Sequence, residues 1–152
     1  MLRQQINDAL KDAMRTKDEV GLRTVRLIMA ALKDRDIAAR GHGNCDGISD
    51  DEVLGMLQSM IKQRRESMQM YVDGGRQELA DQEAAEIAVI ERFLPQQLGA
   101  DEMAEAVAGA IDKTGAGGIK DMGKVMGALK ADYAGRMDFS KASALVKERL
   151  AT

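Results

Sequence analysis

Tryptophan is absent from this chain, and cysteine and proline occur once each, as Cys45 and Pro95. A lone cysteine excludes an intrachain disulfide, so a reducing cytoplasm is the expected compartment. With one histidine beside that one cysteine, a zinc-type site of about four His/Cys ligands cannot be assembled. Two Tyr and two Phe are the only aromatics, too few for a row of base-stacking platforms. No apolar run approaches the roughly 18 residues of a membrane span. Met1-Leu2-Arg3-Gln4-Gln5 opens into an amphipathic pattern with no signal-peptide core, and no membrane association is expected. Charge of one sign is also lacking. Twenty-two Lys/Arg stand against 25 Asp/Glu, a net −3, which predicts no strong non-specific attraction to nucleic acid. The exception is local: from Lys113 to Thr152, eight Lys/Arg outnumber four Asp/Glu.

Among its 152 residues 45% are hydrophobic and 31% charged, a globular composition able to bury a core without metal or disulfides. Ala, Leu, Met, Glu, Gln, Lys and Arg dominate over the β-branched and aromatic residues that favour strands. The expected fold is all-α. Leu2, Ile6, Ala9, Leu10, Ala13 and Met14 form one face of a first helix. Thr16-Lys17-Asp18-Glu19 reads as a capping box, Thr16 capping and Glu19 reaching back. A second helix follows to about Arg40, with Leu22, Val25, Met29 and Leu32 on its apolar face. His42-Gly43-Asn44-Cys45-Asp46 belongs to a glycine-rich loop. Ser49 and Glu52 supply another capping box for a third helix through Val53, Leu57, Met60, Ile61 and Met68 towards Tyr71. Gly74-Gly75 stops it. A fourth carries Ala84, Ile87, Ile90 and Leu94 and ends near Pro95, which disfavours helical geometry in its predecessor.

The boundary between two domains is expected at that proline: residues 1–94 with about four helices, and residues 95–152 with three short ones. The short helices present Met103, Val107 and Ile111, then Met122, Val125, Met126 and Leu129, then Phe139, Ala142, Leu145 and Val146. None is long enough to be stable alone, so they must pack together.

Candidate chemistry is sparse, and no catalytic residue, metal site or cofactor is expected. A glycine-rich loop holds His42 and Cys45 too loosely for nucleophile and base. Carboxylate clusters such as Asp50-Asp51-Glu52 sit where a helix start favours negative charge. Gly115-Ala116-Gly117-Gly118 lacks the strand before it and the Gly-Lys-Ser/Thr ending of a P-loop. Lys62-Gln63-Arg64-Arg65 places three cations in one turn. Arg64 lies on the apolar spacing, either as a snorkelling stem with a helix acid as partner or as an anion contact. The methionine pairs Met56/Met60 and Met122/Met126 fit core filling.

The stretch Lys120-Asp121-Met122-Gly123-Lys124-Val125-Met126-Gly127-Ala128-Leu129-Lys130 is different. Two glycines four apart in a helix cost about 1 kcal/mol each relative to Ala. Gly123 and Gly127 therefore read as close-approach positions. Either a neighbouring helix packs there, or a phosphate backbone does, with Lys120, Lys124 and Lys130 supplying charge.

This segment, with Ile61-Lys62-Gln63-Arg64-Arg65-Glu66-Ser67 and Phe93-Leu94-Pro95-Gln96-Gln97-Leu98, resembles the GatB/YqeY domain family from about Leu2 to Leu150. That family comprises free-standing proteins similar to the tail domain of the B subunit of the glutamine-dependent aspartyl/glutamyl-tRNA amidotransferase. The resemblance implies a helical N-terminal domain joined to a smaller helical C-terminal one. It also implies a tail that contacts the tRNA body while amidation occurs in other domains. Gly123-Lys124-Val125-Met126 resembles the glycine-bearing helix of that tail and Lys141–Leu150 its final helix, so an RNA-facing role carries over to Lys120, Lys124, Lys130 and Lys141. The implied function is a tRNA-associated module accessory to amide transfer, under a family-level description of carbon–nitrogen ligase with glutamine as amido-N-donor. No segment is expected to release ammonia from glutamine or to activate ATP, so intrinsic activity is not expected. The alternative is a protein-interaction adaptor docking on an aminoacyl-tRNA synthetase or amidotransferase.

Overall fold

The computed structural model describes residues 1–151, and among them the chain is all-α, with seven α-helices and one 3-10 turn. It packs as two compact units that meet in sequence between Leu94 and Pro95, each around its own hydrophobic core.

The first unit contains α1 (Leu2–Thr16), α2 (Glu19–Gly41), α3 (Asp50–Asp73) and α4 (Gln77–Glu91). Its centre is Ile6, Val25, Ile28, Val53, Met56, Leu57 and Ile90, all essentially removed from water. Burying each side chain of this size contributes about 1.5–3 kcal/mol before entropy is counted. Ser49 caps α3 as the spacing predicts: its hydroxyl accepts from the Glu52 N–H at 3.2 Å, and Glu52 Oε1 accepts from the Ser49 N–H at 3.3 Å. Four-residue spacing places Met60 in the core and Arg64 directly above it, 3.0 Å from Glu86 of α4.

The start of α2 departs from expectation. Thr16 is the last residue of α1, and its hydroxyl donates to the Asp12 carbonyl at 2.8 Å. Asp18 caps α2 instead, accepting from the Gly21 N–H at 3.0 Å. Only Lys17, in the left-handed region at φ 57°, and the capping Asp18 link the two helices. A charged carboxylate suits a helix start better than a hydroxyl, while the hydroxyl is satisfied by its own preceding turn. A Cβ at position 21 would collide with the Asp18 side chain, so Gly21 makes room for this cap. Two apolar positions also differ: Met14 and Ala84 are exposed. Helix α4 stops at Glu91, short of the proline, and Phe93 and Leu94 fold back half-buried against the core.

The second unit contains α5 (Ala100–Thr114), a 3-10 turn (Ile119–Asp121), α6 (Met122–Asp132) and α7 (Phe139–Leu150). Val107, Val125, Leu129, Met137, Ala142 and Val146 form its centre. Met137 lies in the glycine-marked connection between α6 and α7, where sequence periodicity gives no sign that it is core, yet it is 1% exposed. Buried Gly135, at φ 75°, turns the chain so that Met137 points inward. The same turn anchors the start of the unit. The Leu98 N–H donates to the Arg136 carbonyl at 2.8 Å, the Gln97 side-chain amide donates to the Gly135 carbonyl, and Arg136 Nε donates to the Gln96 carbonyl at 3.3 Å.

Candidate functional site

Helix α6 buries Val125 and Leu129. At 3.6 residues per turn, Gly127 then faces directly away from the core, with Lys124 on one flank and Gly123 and Lys130 on the other. All four are exposed. A Cβ built at Gly123 or Gly127 meets nothing within 4 Å. No neighbouring helix of the described chain makes use of the missing side chains, so the helix-packing reading of these glycines fails within this molecule. Their cost in helix stability is not offset by internal contacts.

The four lysines singled out from sequence are all exposed but do not share one element. Lys120 belongs to the 3-10 turn that precedes α6, while Lys124 and Lys130 lie in α6. Lys141 is in the first turn of α7, its N–H donating to the capping carboxylate of Asp138 at 3.4 Å. Ile119, half exposed, lies beside Lys120. The acid within this segment, Asp121, accepts from the Gly117 N–H at 3.0 Å, which folds the glycine-rich connection into the approach to α6. No carboxylate from Gly123 to Ala131 interrupts the surface.

The second unit also carries a shallow groove of about 610 Å³ between α5 and the turn after α6. Glu102, Glu105 and Gly109 of α5 line it together with Tyr133 and Arg136. Lys113 and Asp132 pair across it at 3.5 Å.

In the first unit, charged side chains of α2, α3 and α4 meet in one ion-pair network. Arg64 and Glu86 are each 14% exposed, and Glu86 also meets Arg23 of α2 at 3.4 Å. Arg64 Nη1 donates back to the Met60 carbonyl at 3.2 Å. Arg64 thus has the helix acid as partner that its spacing allows, and Glu86, shared with Arg23, joins α3 and α4 to α2. Asp36 accepts from both terminal nitrogens of Arg3 at 2.8 Å and from the Ile48 N–H at 2.9 Å. The Arg3 guanidinium, first, and then the Ile48 amide pull the Asp36 carboxyl down to about 2. This clamp holds the end of the loop before α3 to α1 and α2. Gly47, at φ 92°, passes so close that a Cβ there would lie 2.7 Å from Arg3 Nη2.

His42 and Cys45 are both exposed, and among the described residues no three His, Cys, Asp or Glu side chains are grouped to hold a metal ion. No helix of the described chain is long and apolar enough to cross a membrane. Arg26, Lys33 and Arg40, exposed on α2, escape a search for apolar periodicity because they lie opposite the buried stripe, although their seven-residue spacing is legible.

Residues 3–150 match the family model described as Yqey-like protein. Among curated proteins, the chain is similar to "Altered inheritance of mitochondria protein 41, mitochondrial" from several yeasts. The Meyerozyma guilliermondii protein is 38% identical over 87 residues, 56% of this chain and 42% of that protein. The Lachancea thermotolerans protein is 28% identical over 87 residues, 57% of this chain and 44% of that protein. The Saccharomyces cerevisiae (strain YJM789) protein is 30% identical over 89 residues, 57% of this chain and 45% of that protein. The matches thus span less than half the length of these relatives.

Proposed function

Because this chain belongs to the Yqey-like protein family, whose domain is the one similar to the amidotransferase B-subunit tail, we propose that it is a tRNA-associated helical module. The observation that carries this reading is the outward side of α6. Gly123 and Gly127 leave the helix backbone open, with exposed Lys124 and Lys130 on its two flanks and Lys120 one turn before. Phosphate contact by backbone and lysine fixes position on a nucleic acid without reading its sequence. In this reading the module has no chemistry of its own. Any glutamine-dependent carbon–nitrogen ligation, the activity that the resemblance to the B-subunit tail implies, would take place in a partner amidotransferase, and the proposed setting is a reducing compartment such as the cytoplasm.

A titration of full-length protein with total tRNA at graded salt tests this. Affinity should fall linearly on a log–log plot against salt, with a slope near the number of phosphates neutralised. Lys124→Glu combined with Lys130→Glu should weaken binding about tenfold or more and flatten the slope. Binding that is absent, or indifferent to both substitutions, rejects the proposal. A role in protein docking without RNA is favoured by a different surface, the outer side of α2.

A further inference from the structure

Helix α2 buries Val25, Ile28 and Leu32 and turns a second pattern outward. Leu27, Asp34 and Gly41 recur every seven residues, interleaved by Ala30 and Ile37 at spacings of three and four. Leu27, Ala30 and Ile37 keep the a/d rhythm of a helix–helix seam, with Asp34 and Gly41 at the two remaining a positions. Leu27 is 42% and Ile37 53% exposed, two of the few large apolar side chains left in water. Alongside, Arg26, Lys33 and Arg40 occupy the position before each a residue, the g position, and all are exposed. Arg26 and Lys33 have no ion-pair or hydrogen-bond partner among the described residues. The seam from Arg26 to Arg40 is about 21 Å long at 1.5 Å per residue.

We propose that the outer face of α2 docks one acidic amphipathic helix of a partner protein. Apolar side chains of that helix would cover Leu27, Ala30 and Ile37, and its carboxylates would meet Arg26, Lys33 and Arg40. Charge argues against a second copy of this chain. Antiparallel self-pairing sets the g cations against one another. Parallel self-pairing sets them against Ala31 and Ala38, the e positions of the same register. Phosphate is a poorer match as well, since Leu27 and Ile37 would stay wet on a polyanion. Asp34 in an a position asks for a polar or basic residue opposite it, which would fix register at some cost in affinity.

The test uses the full chain and a synthetic 21-residue helix with Leu at a and d, one Lys at a central a, and Glu at e and g. A peptide with Lys in place of Glu, and a single-stranded RNA of similar charge, serve as controls. Titration calorimetry should show binding of the acidic helix that weakens with salt and is at least tenfold stronger than that of the basic one. Arg26→Glu with Lys33→Glu should lower affinity tenfold or more. Leu27→Ser with Ile37→Ser should lower it about fivefold, with circular dichroism unchanged. Arg26→Gln with Lys33→Gln gives the same answer should the reversal perturb the helix. Equal binding of the two peptides, or indifference to the Ser pair, overturns the proposal. So does RNA binding that is lost with the Arg26/Lys33 changes alone, or a dimer of this chain that the Ser pair dissolves. Because Lys124 and Lys130 are left intact, failure here leaves the tRNA titration unaffected.

Discussion

Asp36 shows how one side chain can fasten a loop. With its folded pKa at about 2, below the ordinary 3.8, its contribution to stability is complete above about pH 4 and is lost as the pH falls through about 2. Asp36→Asn should therefore lower stability by about 1–3 kcal/mol at neutral pH. The low end is expected, because Arg3 is 36% exposed and solvent screens the pair. Urea unfolding from pH 7 to pH 2 would check this: the gap between variant and parent should close between about pH 4 and pH 2. Thr24 presents the opposite case. It is fully buried, and its hydroxyl has no hydrogen-bond partner among the described residues. Thr24→Val keeps the shape and removes the desolvated hydroxyl, so the urea midpoint should rise, by about 1 kcal/mol in stability. Neither feature is legible in sequence. Arg3, Asp36 and Ile48 meet only after α1, α2 and the loop have folded, and a threonine on an apolar stripe carries no mark of whether its hydroxyl finds a partner.

At the level of elements, periodicity and punctuation go far. Ser49 with Glu52, the Gly74-Gly75 stop and the apolar stripes are visible in the sequence because each depends on neighbours within a turn or two. The Thr16/Asp18 exchange shows where this weakens. Two capping residues lay two positions apart, and the choice turned on how short a link could join α1 to α2. Met137 shows the same thing in a loop, where its burial depends on the bend at Gly135. In α6 the sequence marks the glycines but not their surroundings. Since a Cβ at Gly127 meets nothing, Gly127→Ala should stabilise the second unit by about 0.5–1 kcal/mol. Gly123, in the first turn of the helix, should give less. If the open backbone is there for a ligand, the same substitution should raise the thermal midpoint and weaken tRNA binding together. A variant that is more stable and binds equally well would remove the glycines from the interface.

For the whole molecule, two separate cores predict two separable folding units. Residues 1–94 and residues 95–152, expressed apart, should each give a helical spectrum and a cooperative urea transition. The smaller should be the less stable, since a short chain buries a smaller fraction of its surface. A fragment 95–152 without a transition would show that the second core needs the first. The sole proline stands at this junction, and the residues after it, Gln96 to Leu98, are bonded to the α6–α7 turn, so a cut for such an experiment belongs before Pro95. What the sequence cannot show at this scale is the outside of α2. A seven-residue rhythm of cations becomes a surface only once the inward stripe is known to be buried elsewhere.

The placing of the two tyrosines has a practical consequence. Tyr71 lies in α3 and Tyr133 beside the groove of the second unit, and no tryptophan outshines them. Changing either one to phenylalanine leaves a single intrinsic fluorophore, so the intact protein can report on each half in turn without an added dye.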